Sequence, residues 1–391
     1  MDTVRAGYVG AYYRKLTKRF FGVVHLRARG QKKGAVLLSF ITSPFTLLPS
    51  KTHTDPHPNY WACMEIARLL LVRGYDVDII EWTDKTFVPK KRYAACIDLQ
   101  QNLERLSPLL GPECRKVAHL VSSYPGFQNS AEAARIAALE KRRGVKFPMK
   151  RPEEPSNNPR FADYLEGYGN KTVHDTYKQF NKKIYQIHVG SSDTYDFPEK
   201  KDFAETRKHF LWFGGGGAVL KGLDLVIEAF AGLPQFTLTI IGPAAYEREF
   251  EKVYAKELVL PNIRRYPRPK ITADNKIEVE GRDILEFFNE CAATIFLSAS
   301  EGAGASVVQT LHAGLIPIIT PNSGIDERVG GIILTNPTVE SVQRAVTDFS
   351  LLSPDKIKSM AREGWSFARE NYTREAFTKN YSGFIDNVLK L

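Results

Sequence analysis

Short apolar runs alternate with longer segments of helical period along most of this chain, and this alternation restricts the possible folds more than any other feature. The first unit has a predicted strand at 35–41, a helix at 59–74 that ends at Gly74, and a second strand at 77–82. Such units build a parallel sheet that is covered by helices. The chain is therefore predicted to be an α/β protein.

The alternation starts again at His209, which predicts two domains. A length of 391 residues agrees, because it is about two to three times the commonest domain size. The other predicted elements are strands at 93–99, 116–122, 162–165, 183–188, 209–213, 237–241, 277–280, 294–298 and 316–320, and helices at 131–143, 223–231 and 305–313.

Composition and period also predict the boundaries. We expect a basic N-terminal segment at residues 1–33 and a first Rossmann-like domain at residues 34–197. A second Rossmann-like domain is expected at residues 198–369, and a C-terminal segment at residues 370–391. Residues 190–206 have no clear period and are predicted to form the hinge. The proline-rich stretch 148–159 is predicted to be a surface loop inside the first domain.

Positive charge is concentrated at the N-terminus. The formal net charge is +10, and residues 1–33 contribute nine bases against one acid, so the rest of the chain carries only +2. A broad nucleic-acid surface is therefore not expected. Aromatic residues alternate with these cations, which is typical of an amphipathic helix on an anionic membrane, although an ordinary basic helix packed on the first domain gives the same pattern.

The chain lacks the sequence features of a membrane-spanning or disulfide-bonded protein. No apolar run approaches the ~20 residues that cross a bilayer, and no signal-peptide stretch follows the basic residues. The four cysteines, Cys63, Cys96, Cys114 and Cys291, contain no Cys-x-x-Cys pair. A reduced, cytoplasmic protein is expected, with peripheral membrane contact through the basic segment.

Four consecutive glycines at 214–217 link a predicted strand to a helix. Glycine allows positive φ and a close approach of backbone to ligand, and Lys221 beyond the turn supplies a compact cation. A phosphate cradle at Gly214, Gly215 and Gly216 with Lys221 is one interpretation. A flexible loop with a surface lysine is the other, because neither the dinucleotide fingerprint nor the P-loop spacing fits.

A second strand–loop–helix unit follows some eighty residues later and contains Glu301, Gly302, Gly304 and Gln309. The two glycines allow a tight turn into a helix whose first amides, near Ala305 and Ser306, would form an anion site. At about 1.5 Å per residue, Glu301 and Gln309 would lie far enough apart to face the two ends of a diphosphate and its ribose.

Together the two segments, from His209 to Pro321, resemble the donor-binding domain of GT-B glycosyltransferases, specifically the retaining glycosyltransferase family 4. The resemblance implies two facing Rossmann-like domains and a C-terminal helix that returns to the first domain. It also implies that Lys221 holds the donor diphosphate, Glu301 contacts the donor sugar, the amides of residues 304–306 bind phosphate, and Gln309 binds ribose. Base contacts are expected near Val279, through backbone atoms.

The resemblance implies a metal-independent transfer of a hexosyl residue with retention. The donor would be a sugar of the UDP or GDP type, a co-substrate with no separate cofactor, and the acceptor a glycan, a polysaccharide or a lipid-linked glycan. Asp76 and Asp78 form an Asp-x-Asp sequence, but they alternate with apolar residues at the start of a strand, so no metal site is predicted. Lys221 and Glu301 are the predicted catalytic residues.

Acceptor contacts are expected at the ends of first-domain strands, where the cleft should open. The candidates are His53, Asn59, Gln100, Ser123 and Tyr124.

Three positions depart from the family pattern. Gly215 replaces a phosphate-binding arginine, Gln309 replaces a second glutamate, and Gln100 or Gln101 lies where several members have a histidine. A catalytically weak module that binds a nucleotide sugar or glycan is therefore the alternative function.

Overall fold

The computed structural model describes residues 15, 18, 22–46, 58–191, 193–272 and 276–391. His53 and most of the basic N-terminal segment lie outside these residues. Two sheets, each covered by helices, confirm the predicted α/β class with two Rossmann-like domains.

The sheet of the first domain has seven strands in the order β1-β3-β2-β4-β5-β6-β7. Six of them are parallel, and β1 pairs antiparallel with β3 at the edge. The strands are β1 (Val23–Leu26), β2 (Gly34–Phe40), β3 (Tyr75–Glu81), β4 (Ala95–Asp98), β5 (Arg115–Leu120), β6 (Tyr164–Gly167) and β7 (Ile184–Gln186). β2 is a nearly continuous apolar run because helices cover both faces of the sheet.

The first domain begins earlier than the sequence boundary at residue 34 suggests. β1 lies within the predicted basic segment, and Val23, Val24 and Leu26 are buried. The strand has only four residues and lies in a segment rich in basic residues, so its apolar residues gave no clear pattern. The helices of this domain are α1 (Ser43–Thr46), α2 (Pro58–Val72), α3 (Leu103–Leu110), α4 (Pro125–Arg143), α5 (Asn158–Phe161) and α6 (Lys171–Asp175).

The sheet of the second domain has six parallel strands in the order β10-β9-β8-β14-β15-β16. A separate antiparallel sheet, β11-β12-β13, packs beside it, so the strand predicted at 277–280 belongs to this small sheet. The strands are β8 (His209–Phe213), β9 (Thr237–Ile241), β10 (Ile263–Tyr266), β11 (Lys270–Ile271), β12 (Ile277–Val279), β13 (Arg282–Asp283), β14 (Ala293–Phe296), β15 (Ile316–Ile319) and β16 (Ile332–Ile333).

Helices cover this second sheet and lead back to the first domain. They are α7 (Phe203–Thr206), α8 (Leu223–Ala231), α9 (Arg248–Val253), α10 (Ile284–Glu290), α11 (Ala305–His312), α12 (Val339–Ser350), α13 (Pro354–Asn371) and α14 (Arg374–Gly383), and a π-helical turn at Phe384–Leu389 follows.

The C-terminal helix α14 packs on the first domain, as expected. The Phe377 ring lies 5.2 Å from that of Trp61, and the Tyr381 hydroxyl donates to the buried carboxylate of Glu166 at 3.0 Å. Beyond α14, Asp386 pairs with Arg73, the residue that follows α2, at 2.7 Å. The chain therefore crosses between the domains at the 190–206 hinge and again before α14.

The two domains also meet along α4. Arg142 pairs with Asp224 of α8 at 2.5 Å, and Arg135 donates to the Leu297 carbonyl at 2.8 Å. Closer to the cleft, Gly302 touches the first domain so tightly that a Cβ there would lie 1.9 Å from the Val121 carbonyl oxygen. These contacts hold the carboxyl ends of the two sheets against one cleft.

Candidate functional site

A cleft of about 350 Å³ lies where the two domains meet. It is open to solvent and lined by residues from the ends of strands, the start of α11 and a long first-domain loop. Its polar and charged lining is Asn59, Gln100, Ser122, Gln128, Arg151, Glu153 and Tyr168 from the first domain, and Lys221, Ser300, Glu301 and Ser306 from the second.

Lys221 and Glu301 meet in this cleft although 80 residues separate them in sequence. The Lys221 ammonium forms an ion pair with the Glu301 carboxylate and lies 5.2 Å from the centre of the Phe296 ring. The Lys221 side chain is only 8% exposed, so this charge is held in place rather than solvated freely. The structure brings the two predicted catalytic residues together, and their roles toward a ligand stay predictions.

Glycines shape the loop that carries Lys221. Gly222 is the N-cap of α8 and has φ +72°. A Cβ there would lie 2.7 Å from the Leu297 carbonyl oxygen, so only glycine allows the two backbone segments to approach this closely. Gly217 has φ +93° and its N–H donates to the Glu247 carboxylate at 2.5 Å. The glycine turn therefore binds an internal carboxylate through the Gly217 amide, directly after the three glycines that were predicted to form the phosphate cradle.

The predicted donor glycines occupy different positions. Gly215 lines the cleft, and a Cβ there would meet nothing within 4 Å. Gly214 lies over the Trp212 ring, and a Cβ at Gly216 would lie 3.3 Å from Glu247. Of the three, Gly215 is thus the one that leaves open space for a ligand.

The N-terminus of α11 faces the cleft. Gly304 is its N-cap, and no side chain caps it. Gly302, Gly304, Ala305 and Ser306 all line the cleft, and their contacts with a donor stay predictions. Because the first amides of a helix carry partial positive charge, this end can bind an anion next to Lys221.

A second cavity of about 210 Å³ adjoins the first, and Ala305 and Ser306 line both. Gln309 lies in this second cavity and donates to the Asp193 carboxylate at 3.3 Å. Phe213 and Ile277 supply apolar lining, whereas the Val279 side chain is buried in the apolar core beneath the small sheet. A ligand with a charged part and a flat polar part would span both cavities.

The predicted acceptor residues divide into two groups. Asn59 and Gln100 line the cleft, and Gln100 donates to Glu153 at 2.9 Å. Ser123 is buried and donates to the Glu301 carbonyl at 3.0 Å, so it connects the domains and does not line the cleft. Tyr124 packs against Tyr177 and Phe180 beside a separate small pocket. Ser122, which precedes these two residues in the sequence, is the serine that lines the cleft.

Sequence reasoning missed the contribution of the loop between α4 and α5, residues 144–157. Arg151 and Glu153 of this loop line the cleft, and Gln128 of α4 lines it beside them. The proline-rich composition indicated a surface loop, and no local pattern shows that the loop reaches the other domain. Asp193, beside Gln309, was also missed because it lies in a segment without a period.

The Asp-x-Asp carboxylates are ion-paired. Asp76 binds Arg27 and Lys32, and Asp78 binds Lys91 at 2.8 Å and His25 at 2.7 Å. Burial alone would raise the pKa of Asp78, but Lys91, His25 and the Tyr93 hydroxyl hold that pKa below its ordinary value. Within the described ranges, no group of three or more His, Cys, Asp or Glu side chains could hold a metal ion.

None of the helices in the described part of the chain combines the length and the apolar character needed to span a membrane.

The second domain is similar in sequence to a known protein family. Residues 194–364 match the family model described as glycosyl transferases group 1. This match covers α7 to α12 and the first part of α13, and it includes Lys221, Glu301 and Gln309. No curated protein is similar enough in sequence to match the chain.

Solved structures match over nearly the whole chain. Sucrose-phosphate synthase from Thermosynechococcus elongatus has a TM-score of 0.62 at 10% identity, over 92% of this chain and 100% of that one. A glycosyltransferase from Rickettsia africae has a TM-score of 0.57 at 12% identity, over 92% and 100%. HepE from Anabaena, solved with UDP and glucose, has a TM-score of 0.54 at 12% identity, over 91% and 100%.

The chain thus has the two-domain fold of GT-B glycosyltransferases, and the expected fold is confirmed. The match of its second domain to the glycosyl transferases group 1 model supports the expected enzyme class.

Proposed function

We propose that this chain transfers a hexosyl residue, with retention and without a metal ion, from a nucleotide-diphosphate sugar to a glycan, a polysaccharide or a lipid-linked glycan. The observation that carries the proposal is the convergence of Lys221, Glu301 and the N-terminus of α11 at one cleft. Lys221 lies in the loop between β8 and α8. Glu301 lies in the loop between β14 and α11, so the N-terminus of α11 directly follows it.

The donor would span the two adjoining cavities. Its diphosphate would lie between the Lys221 ammonium and the first amides of α11, because both stabilise negative charge. Its ribose would meet Gln309 and Asp193, which are 3.3 Å apart, and its base would lie near Phe213 and Ile277. The HepE structure, which holds UDP in the same fold, supports a donor of the UDP type, and GDP is the other type to test.

Glu301 would exchange partners when the donor binds. In the structure its carboxylate pairs with Lys221. A donor diphosphate would compete for Lys221, and the released carboxylate would accept hydrogen bonds from hydroxyls of the sugar. This exchange would keep Lys221 ion-paired and Glu301 hydrogen-bonded as the cleft loses water.

Catalysis would depend on stabilising the leaving diphosphate. In a retaining transfer on one face, the bond from the anomeric carbon to the phosphate oxygen breaks as the acceptor oxygen approaches, and the leaving phosphate oxygen takes the acceptor proton. Negative charge grows on the diphosphate, where Lys221 and the amide end of α11 lie. Asn59 and Gln100, on the first-domain side of the cleft, would orient the acceptor.

Ligand-induced stabilisation followed by product analysis tests the proposal. UDP, GDP and dTDP are compared by thermal shift, because a nucleotide at about 100 times its Kd should stabilise the fold by about 2.7 kcal/mol. Hydrolysis or transfer is then measured with the matching nucleotide sugars, and NMR assigns the anomer of the product. Absence of any nucleotide-dependent shift, or an inverted product, would contradict it.

A nucleotide-binding module with weak catalysis is the second candidate. Two features favour it: Glu247 already occupies the Gly217 amide, and Gly215 places no cation at the turn. Tight binding of UDP or GDP without turnover of any of the matching sugars would support this candidate against the transferase.

We also propose a cytoplasmic location with peripheral contact to an anionic membrane. All four cysteines are free and buried, which suits a reducing compartment. Near β1 the described surface exposes Lys85, Lys90 and Arg92 beside Val88, which is 55% exposed. Sedimentation with vesicles should show binding to phosphatidylglycerol but little to phosphatidylcholine, and equal binding to both or to neither would contradict it.

A further inference from the structure

We propose that Arg151, on the first-domain loop at residues 144–157, is a second cationic residue for the donor diphosphate. The inference rests on the proposed function and deepens it. It assigns part of the recognition of the diphosphate to the domain that was expected to bind only the acceptor.

The backbone around Arg151 is fixed by buried side chains of α4. The Glu132 carboxylate accepts the N–H groups of Lys150 at 2.7 Å and of Arg151 at 3.0 Å. Gln128 donates to the Arg151 carbonyl at 2.9 Å. Glu132 and Gln128 are 2% and 3% exposed, so the loop is held at this point by groups that water cannot readily replace.

The Arg151 side chain extends across the domain boundary to the glycine turn. A Cβ at Gly217 would lie 2.9 Å from Arg151 Cγ, so the absence of a side chain at this glycine allows the contact. Arg151 lines the same cleft as Gly215 and Lys221. The open space above Gly215 therefore belongs to a cleft that is lined by two cationic residues from different domains.

The Arg151 guanidinium remains available for a ligand. It forms no hydrogen bond or ion pair with the rest of the described chain. Among the described residues that line the cleft, Lys221 and Arg151 are the cations, and Lys221 is already paired with Glu301. Arg151 thus supplies positive charge that no carboxylate of the cleft neutralises.

The chemistry of a diphosphate suits this arrangement. A guanidinium presents a planar fork of donors that can bind two phosphate oxygens at once, whereas an ammonium acts as a point charge. Lys221 and Arg151 would then contact the diphosphate from opposite sides. Because they belong to different domains, donor binding would also favour the arrangement in which the domains are closed against each other.

The experiment compares Arg151→Ala, Arg151→Lys and the control Arg160→Ala by calorimetric titration with UDP and GDP. Arg160 is an exposed arginine on α5 that does not line the cleft. For the nucleotide that binds the wild type, Arg151→Ala should weaken binding by about tenfold or more, because a charged hydrogen-bonding partner of the phosphates is lost. Arg151→Lys should retain part of the affinity, and Arg160→Ala should match the wild type.

The matching nucleoside, uridine or guanosine, provides the second measurement. Because nucleosides lack phosphates, their affinity by NMR titration should be the same for Arg151→Ala and the wild type. Unchanged nucleotide affinity in Arg151→Ala, or an equal loss for nucleotide and nucleoside, would overturn the role of Arg151.

Lys221→Ala distinguishes failure of this inference from failure of the proposed function. If Lys221→Ala loses nucleotide affinity and Arg151→Ala does not, the role of Arg151 is wrong and the proposed function stands. If the wild type binds neither UDP nor GDP, the proposed donor site fails, and this inference fails with it.

Discussion

The two sides of the cleft are built in different ways. On the second-domain side, each candidate residue follows its strand directly: Lys221 lies eight residues after β8 and Glu301 five after β14. On the first-domain side, Arg151 lies in a loop whose place is set by contacts with α4. Local chain geometry therefore positions Lys221 and Glu301, whereas tertiary packing positions Arg151.

Lys221→Ala, on the second-domain side of the cleft, should reduce turnover more than any other substitution considered. It removes the cation opposite the leaving diphosphate and leaves the partly buried Glu301 carboxylate unpaired. By analogy with the loss of one transition-state donor, kcat should fall by about 10² to 10³. Steady-state kinetics with the matching nucleotide sugar measures the change, and Lys208→Ala, an exposed lysine before β8, is the control. Unchanged kinetics in Lys221→Ala would remove the role assigned to this ammonium.

The same contrast explains what the sequence could predict. Three elements were predicted with the bounds that β8, α8 and β9 have in the structure, at 209–213, 223–231 and 237–241. Their apolar periodicity and the glycines that end them lie within the segment itself. The sequence placed Lys221 and Glu301 after two predicted strands but did not predict their ion pair. The structure explains their proximity, because β8 and β14 are parallel neighbours that end at one sheet edge.

The remainder depended on distant contacts. β1 was missed because its pattern is short and its pairing with β3 spans more than fifty residues. Arg151 was missed because the proline-rich loop carries no periodic signal and its position depends on distant contacts, among them those of its backbone with Glu132 and Gln128. Tyr124 was expected at the cleft because it follows a strand, but its ring packs against Tyr177 and Phe180.

The second-domain side should also have its own sensitivity to acid. Burial lowers the pKa of His312 to about 4, and its Nε2–H group donates to the Tyr372 carbonyl at 3.2 Å. His312 ends α11, the helix whose N-terminus faces the cleft. Between about pH 6.5 and 4, the unfolded chain binds a proton at this residue and the folded chain does not.

The contribution of His312 to stability is therefore present above about pH 6.5 and is lost as the pH falls toward 4, at up to about 1.4 kcal/mol per pH unit. Urea unfolding at several pH values measures the slope. His312→Gln retains an N–H donor without a titrating group, so it should reduce the slope. Burial also lowers the pKa of His174 and His188, which should leave a residual slope in this variant. An identical slope in wild type and variant would contradict the assignment.

Gly302→Ala tests how tightly the two sides are joined. The new Cβ would lie 1.9 Å from the Val121 carbonyl oxygen, so the domains must move apart. Overpacking of this kind costs about 1–3 kcal/mol, and we expect a lower Tm together with weaker turnover. Gly215→Ala is the matched control for Tm, because its Cβ meets nothing within 4 Å. Equal Tm values for the two variants would show that the contact with Val121 adjusts without cost.

Gln309→Glu should have the smallest effect. Whether nucleotide affinity rises or falls shows whether the family pattern or the contact with Asp193 determines the role of this position. A glutamate here would restore the charge-assisted bond to ribose that the family pattern implies. In this structure, however, Gln309 donates to the Asp193 carboxylate at 3.3 Å, so the substitution would place two carboxylates against each other. Like charges at such a distance disfavour the ionised pair.

We therefore expect Gln309→Glu to weaken nucleotide binding by about fivefold, or ~1 kcal/mol. Combination with Asp193→Asn should recover the affinity, because the new carboxylate then faces an amide. Calorimetric titration of the single and double variants forms a cycle that isolates the interaction of the two positions. Tighter binding in Gln309→Glu alone would mean that Asp193 turns away when the donor binds, and that the ribose contact belongs to position 309 by itself.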